Sequence, residues 1–232
     1  MSGPMLSIIM PVLNEAAGVQ AALTALSPFH SRGVELIVVD GGSNDNTMTL
    51  AEPLADHVLS APRGRAAQMN CGAAAARGDV LLFLHADTWL PADADALIRD
   101  GLAQSGRVWG RFDVRFNAGG LLSLIAALMN LRSRLTGIAT GDQAIFVTRT
   151  AFESIDGFPP IALMEDIALS ARLKRISRPL CLRAYVTTCA RRWRSHGVLR
   201  TVFLMWRLRL AYFLGANPAN LARRYGYAPA ER

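Results

Sequence analysis

Val80-Leu81-Leu82-Phe83-Leu84-His85-Ala86-Asp87 follows Gly78-Asp79, and its reading decides the fold. Five apolar residues run together and end abruptly in a histidine and a carboxylate. A short run that is apolar throughout reads as a strand buried on both faces of a sheet. Such strands present ligand-binding groups just beyond their carboxyl ends. His85 and Asp87 stand there one residue apart, so alternation turns both side chains the same way. Two readings are open from this stretch alone. The tip holds a divalent metal or a phosphate-bearing donor, or Asp87 caps a helix over 88–103 while His85 hydrogen-bonds locally.

Working outward, residues 65–77 are alanine-rich and helical, with Gly78 as the expected C-cap. Residues 6–12 form a first strand that Pro11 ends, because proline cannot donate to a ladder. Asn14 is the expected N-cap of a helix running to about residue 27. Residues 34–39 form a second apolar strand ending in Asp40. A polar loop, Gly41-Gly42-Ser43-Asn44-Asp45-Asn46-Thr47, leads to a short helix stopped near Pro53, and residues 57–60 form a third strand. Strand and helix thus alternate four times in the first hundred residues, the pattern of an α/β fold with a doubly wound, mostly parallel sheet. Right-handed crossovers place the ends of the first, second and fourth strands on one sheet edge. Asn14-Glu15, Asp40 and His85-Asp87 then line one crevice.

The second half is less regular. Residues 108–116 alternate charged with apolar side chains and fit a half-exposed strand. Residues 120–135 are an apolar helix, 143–148 a strand, 165–175 a helix opened by Glu165-Asp166, 180–186 a strand, and 198–214 a last helix. Arg200, Arg207 and Arg209 interrupt that helix, so it reads as interfacial, packed on the domain or placed in a homodimer contact, and not as a membrane span. The chain of 232 residues divides into a domain over 1–195, with halves at about 1–105 and 106–195, and a basic, apolar helical extension over 196–232.

Charge follows that division. The net charge is +7, yet the residues from Ile167 onward carry 14 Lys or Arg against one acid, Glu231, while the first 166 carry 11 basic and 17 acidic residues. A basic tail suits an anionic membrane surface, nucleic acid or a phosphate-bearing substrate. No nucleic-acid recognition motif or aromatic stacking platform accompanies it, which sets nucleic acid aside. Cys71, Cys181 and Cys189 form no C-x-x-C pair, and their odd number points to a reducing cytoplasm. The N-terminus enters a strand pattern without a signal-peptide pattern, so a cytoplasmic place is expected, peripheral at the inner membrane surface if the tail engages lipid.

Several segments carry chemistry. Pro11-Val12-Leu13-Asn14-Glu15 sets a carboxylate at a helix start, where it complements the helix dipole or contacts a ligand. Asp40 followed by glycines and small polar residues suits a ribose or base contact, or a plain capped turn. Arg63 and Arg65 stand at a helix N-terminus, where guanidinium and free N–H groups favour phosphate. Gly-x-Gly-x-x-Gly and the Walker pattern are both absent, which disfavours a dinucleotide-binding or P-loop site.

Taken in order, P-V-L-N-E, D-G-G-S-N-D-N-T and L-F-L-H-A-D resemble the inverting glycosyltransferases of family 2, which have the A-type glycosyltransferase fold for nucleotide-diphosphate sugars. Gly141-Asp142-Gln143, Asp156-Gly157-Phe158, Glu165-Asp166 and Arg191-Arg192-Trp193 extend the match, which covers roughly residues 6–193. Within the family, Arg63–Asn70 and the L-H-A-D-T segment look most like small bacterial members associated with arsenic- or selenium-containing sugar pathways. The resemblance implies that Glu15 and Asp40 contact base and ribose, with Pro11 and Val12 shaping the pocket. It implies that Asp87, after His85 and Ala86, binds Mn²⁺ or Mg²⁺ on the donor diphosphate, and that Asp166 is the general base. Arg192 and Trp193 match the R-W pair lining the site. His85 departs from the pattern, standing where the family has an acid; imidazole suits Mn²⁺ better than Mg²⁺. The expected reaction moves a sugar from a nucleotide diphosphate, UDP foremost, to a small or lipid-linked acceptor. The alternative is a non-catalytic module of the same fold, held at a membrane surface or an anionic partner by its tail.

Overall fold

The computed structural model describes residues 5–191, 193 and 197–227. Among these residues eight strands form one sheet in the order β3-β2-β1-β4-β7-β6-β8-β5. They are β1 (Leu6–Val12), β2 (Glu35–Asp40), β3 (His57–Ser60), β4 (Val80–Phe83), β5 (Thr88–Trp89), β6 (Trp109–Phe116), β7 (Ile145–Thr148) and β8 (Leu180–Thr188). The first four pair in parallel. β7 then runs antiparallel to both β4 and β6, β6 pairs in parallel with β8, and β5 closes the far edge antiparallel to β8.

Two hydrophobic layers explain why the apolar runs become strands. Ile8, Met10 and Val12 of β1 pack with Val19, Leu23 and Leu26 of α1 (Val19–His30) on one face. Ile9 points the other way and packs with Met69 and Ala73 of α3 (Arg65–Ala75). β4 divides in the same manner, Leu82 to the first layer and Leu81 and Phe83 to the second. Burying each such side chain is worth about 1.5–3 kcal/mol, so the double covering drives the run into the sheet. The other helices are α2 (Thr47–Ala51), α4 (Ala94–Ser105), α5 (Leu121–Thr136), α6 (Arg149–Glu153), α7 (Glu165–Leu173), α8 (Val198–Phe213) and α9 (Pro218–Tyr225).

Several local expectations give way. Pro11 lies inside β1, opposite Val39. The Ile9 carbonyl accepts from Leu84 N–H at 3.0 Å, so Pro11 faces the same side two residues later, beyond the end of β4, where no donor is needed. Asn14 caps no helix. It takes a left-handed φ of 53°, and its side chain accepts from Asn44 N–H at 2.8 Å, joining the β1 and β2 loops. The helix expected over 88–103 begins only at Ala94, because Pro91 restrains the residue before it and Thr88–Trp89 pair with β8. Gly78 is not a C-cap, since α3 ends at Ala75. A Cβ at Gly78 would lie 2.6 Å from Ser7 Oγ, so glycine is needed for close packing on β1. β6 is buried, not half-exposed: Arg111 and Asp113 form an ion pair under α5, and Arg134 joins it.

The last two helices pack on the domain. Leu208 of α8 and Leu221 and Ala222 of α9 share a cluster with Leu163, Met164 and Ile167 around the start of α7. No helix among the described residues is long and apolar enough to cross a membrane. Cys71, Cys181 and Cys189 are unbonded thiols.

Candidate active site

The carboxyl ends of β1 and β4 open into one cavity of about 1070 Å³, walled further by α5, α7, α8 and the chain after β8. β1 brings Pro11 and Val12, and the turn beyond it brings Glu15. β4 brings His85, Ala86 and Asp87, and α3 brings Arg65 from its first position. Asp166 enters from the first turn of α7, and Trp193 packs edge-on to Phe116 at 5.3 Å between centroids. Nine of the residues read from the sequence thus face a single space.

Two described residues do not join them in this way. Asp40 is buried in its own turn, accepting from Gly42 N–H at 2.8 Å, Ser43 N–H at 2.9 Å and Ser43 Oγ at 2.5 Å. It shapes the loop after β2 and does not line the cavity. Arg63 lies with its guanidinium 5.6 Å from the Tyr227 ring centre, outside the cavity wall. Arg192 lies outside the described residues.

Backbone anchors hold the lining in place. Gln68 on α3 is buried and donates to the carbonyls of Val12 and Val39, both at 2.8 Å, locking the ends of β1 and β2 together. Asn70 exchanges two hydrogen bonds with the Phe158 backbone, at 2.8 and 2.9 Å, and Phe158 stacks edge-on to Phe83 of β4. Asp156-Gly157-Phe158 is therefore a brace behind the site. Asp166 accepts from Gly141 N–H at 3.0 Å and Ile167 N–H at 2.7 Å, which fixes its carboxylate over the loop before β7.

The electrostatics are those of a crowded site. Burial raises the Glu15 carboxyl above its ordinary range, and Asp87 nearby adds to the rise against the opposing charge of Arg191, 3.6 Å away. Burial and the adjacent Asp166 push Glu165 up to about 6, with Arg65 opposing. His85 Nδ1 lies 3.5 Å from Asp142 Oδ1. Burial works against the charge on Asp142, but the His85 contact and the charges of His85, Arg65 and Arg209 outweigh it and hold its carboxyl low. Arg65 is held more firmly protonated than usual: burial opposes its charge, yet Glu165, Tyr225, Asp142 and Asp166 surround it.

Asp142, Arg191, Arg132 and Arg209 line the cavity without having been assigned a role from the sequence. Asp142 and Arg191 sat inside recognised segments, so their neighbours offered a signal. Arg132 and Arg209 sit in apolar helices, where Arg209 marks an interruption of the apolar run and Arg132 carries no signal. Among the described residues, no group of three or more His, Cys, Asp or Glu is placed to hold a metal ion. The acidic wall near Asp87 is still of the right chemistry for a hard cation, since Mg²⁺ and Mn²⁺ bind through one or two carboxylates and take other ligands from phosphate and water.

A protein named PGL/p-HBAD biosynthesis glycosyltransferase, from Mycobacterium bovis, is 39% identical over 106 residues, covering 43% of this chain and 41% of that protein. The match therefore takes in about two fifths of the relative's length. S. aureus TarS, residues 1–349, crystallised with UDP-GlcNAc, superposes with a TM-score of 0.66 at 18% identity, over 79% of this chain and 58% of that one. A mannosyltransferase from Pyrobaculum calidifontis, in complex with GDP-Man and Mn²⁺, gives a TM-score of 0.64 at 20% identity, over 98% of this chain and 66% of that one. At these identities the two structures establish the fold. The family described as Glycosyl transferase family 2 matches residues 7–150, more than half of the sequence, and the chain belongs to that family.

Proposed function

We propose that the protein transfers a sugar, with inversion, from a nucleotide-diphosphate donor, UDP foremost, to a small or lipid-linked acceptor. One observation carries this reading: Glu15, Asp87 and Asp166 come from three separate elements and face one cavity. The acceptor hydroxyl oxygen attacks the anomeric carbon as its bond to the diphosphate oxygen breaks. Asp166 takes the hydroxyl proton, a role that its place in the first turn of α7 supports. Glu15 and the end of β1 hold the nucleoside, and Arg65 and Arg191 oppose the charge that grows on the leaving diphosphate. Asp40 acts on the ribose through the loop it shapes. Trp193 walls the sugar side, and Arg192 is assigned there by its motif. Asp87 would hold a divalent ion with the donor diphosphate, with His85 and Asp142 beside it; such an ion supplies charge neutralisation at the leaving group.

The Mn²⁺ complex of the Pyrobaculum mannosyltransferase and the UDP-GlcNAc complex of TarS support a metal and a nucleotide-sugar donor. The narrower likeness to arsenic- or selenium-sugar members is supported by the segments around Arg63–Asn70 and Leu84–Thr88 alone. The motifs support a catalytic unit over 1–195, to which the extension 196–232 adds the cavity wall formed by α8, and a cytoplasmic place, peripheral at the inner membrane surface if the basic tail engages lipid.

The test is calorimetric titration of UDP with Mn²⁺ and with EDTA. Binding that weakens in EDTA, and that no longer responds to the metal in Asp87→Asn, is expected. Equal affinity in EDTA would remove the metal role of Asp87, and an absence of UDP binding would remove the donor assignment.

A further inference from the structure

Two arginines in the cavity have no part in the transfer described above. Arg132 stands on α5 and Arg209 on α8, and both line the cavity. Arg132 Nε and Nη2 and Arg209 Nε are shut off from solvent and find no hydrogen-bond partner among the described residues. Buried N–H donors are ordinarily paired, and shielded donors left without an acceptor are destabilising. The two also repel each other. Burial first, and then the charge of Arg209, bring Arg132 down to about 10, while Asp166 opposes the fall. An unsatisfied cationic pair therefore lies next to the carboxylate assigned as the base.

The walls around this pair are apolar. Leu128, Leu131 and Leu135 of α5 and Trp206 of α8 line the same cavity, yet they are 52%, 51%, 77% and 68% exposed. Leu124 on α5, and Phe203 and Phe213 on α8, continue the exposed apolar surface along both helices. Single apolar residues on a surface are ordinary, but a run along two helices that share a cavity marks a binding face.

The geometry points to an amphiphilic acceptor: a phosphate ester seated between Arg132 and Arg209, with an apolar chain leaving over the leucine face of α5 and Trp206. This rests on the transferase reading, since Asp166 beside the pair must take the proton from a hydroxyl carried near that phosphate. The guanidinium fork matches phosphate oxygens in pairs and supplies the acceptors that the shielded N–H groups lack. A small hydrophilic acceptor would leave the leucine face unused. A neutral lipid would leave the arginines unpaired.

The experiment is calorimetry on the full chain saturated with UDP. The probes are decyl phosphate below its micelle concentration, inorganic phosphate and decanol. Decyl phosphate is expected to bind at least about tenfold more tightly than either of the others. Arg132→Gln and Arg209→Gln should each weaken it by about tenfold or more and leave UDP affinity unchanged. Arg132→Lys, which keeps the charge, should fall between. Equal binding of decanol would overturn the anion site, and equal binding of inorganic phosphate would overturn the apolar channel. Loss of UDP affinity in step with decyl phosphate would assign the arginines to the donor diphosphate and overturn the proposal. A protein that binds decyl phosphate but not UDP would sink the donor reading and leave this site standing. Should a glutamine variant lose its cooperative melt, the lysine variant and the three-probe comparison on the natural chain decide the matter.

Discussion

Asp166→Asn isolates proton transfer from everything else the residue does. Asn has the shape of Asp, and its amide oxygen can keep one of the two backbone N–H donors, Gly141 at 3.0 Å or Ile167 at 2.7 Å. The other N–H then faces an amide NH₂, a loss of about 1 kcal/mol. Removing the Asp166 charge works the other way on Glu165, because that charge is one of the causes raising its carboxyl. The net fall in melting temperature should stay within about 2–4 °C for a chain of this size. A positioned general base is worth about 10²–10⁴ in rate, or about 3–5 kcal/mol of barrier. The expected result is a kcat lower by that factor, with UDP affinity and sugar-donor KM little changed. The assay pairs steady-state transfer or donor hydrolysis with calorimetric UDP titration. A kcat within about tenfold of the natural enzyme would refute the base assignment. An equal loss of UDP affinity would show that Asp166 acts by holding the donor.

Other perturbations test the frame around that residue. At Gly141 a Cβ would fall on the His85 imidazole, so Gly141→Ala should displace the ring from Asp142 and weaken Mn²⁺-dependent UDP binding; unchanged affinity would mean that His85 has no part in the site. Glu165, with its folded carboxyl raised mainly by burial to about 6 from an ordinary 4.5, is harder to ionise folded than unfolded. Its contribution therefore turns against folding as pH climbs from about 4.5 to about 6 and stays unfavourable above, so Glu165→Gln should raise the melting temperature at about pH 7.5 and not at about pH 4.5. Asp113→Asn breaks the buried contact to Arg111 and Arg134 and should cost about 3–5 kcal/mol in denaturant unfolding; a loss below about 1 kcal/mol would mean the pair is solvated. Gln68→Ala leaves the carbonyls of Val12 and Val39 without their donor and should cost about 1–3 kcal/mol, seen as an earlier thermal transition.

The first half of the fold was legible because its instructions are local. β1, β2, β3 and β4 are short apolar runs separated by helices, and right-handed crossovers then leave little choice of order. The same logic puts Asn14-Glu15, Asp40 and His85-Asp87 at one edge, and of these Glu15, His85 and Asp87 line the cavity. The second half has no such local code. β7 inserts between β4, about sixty residues back in sequence, and β6, about thirty back, and nothing in Ile145–Thr148 names its neighbours. Arg111 and Asp113 misled for a different reason. Alternating charge is how an exposed strand is written, and an ion pair buried under α5 is written with the same letters. Asp40 shows the limit within a motif: an acid at a strand end was correctly placed, but its oxygens serve the Gly42–Ser43 turn.

What the sequence could not express is the balance of charge across the cavity. On one wall Glu15 stands near Asp87, and Glu165 near Asp166, and the first and third of these are harder to ionise than usual. On the facing helices Arg132 is easier to deprotonate than usual, with Arg209 as its neighbour. Arg65 sits between, satisfied by the acids around it. Like charges held together in this way disfavour the bare protein, and each set is relieved by a ligand of opposite sign. A cation at the acidic wall and an oxyanion at the arginines would relieve both at once, on either side of the anomeric carbon. The same arrangement couples the two ligands: a cation at Asp87 and a diphosphate opposite Arg65 would change the field across the cavity, so donor binding should change the affinity for an anionic acceptor. Titrating decyl phosphate with and without UDP and Mn²⁺ measures that coupling, and identical affinities in the two states would show that the walls act independently.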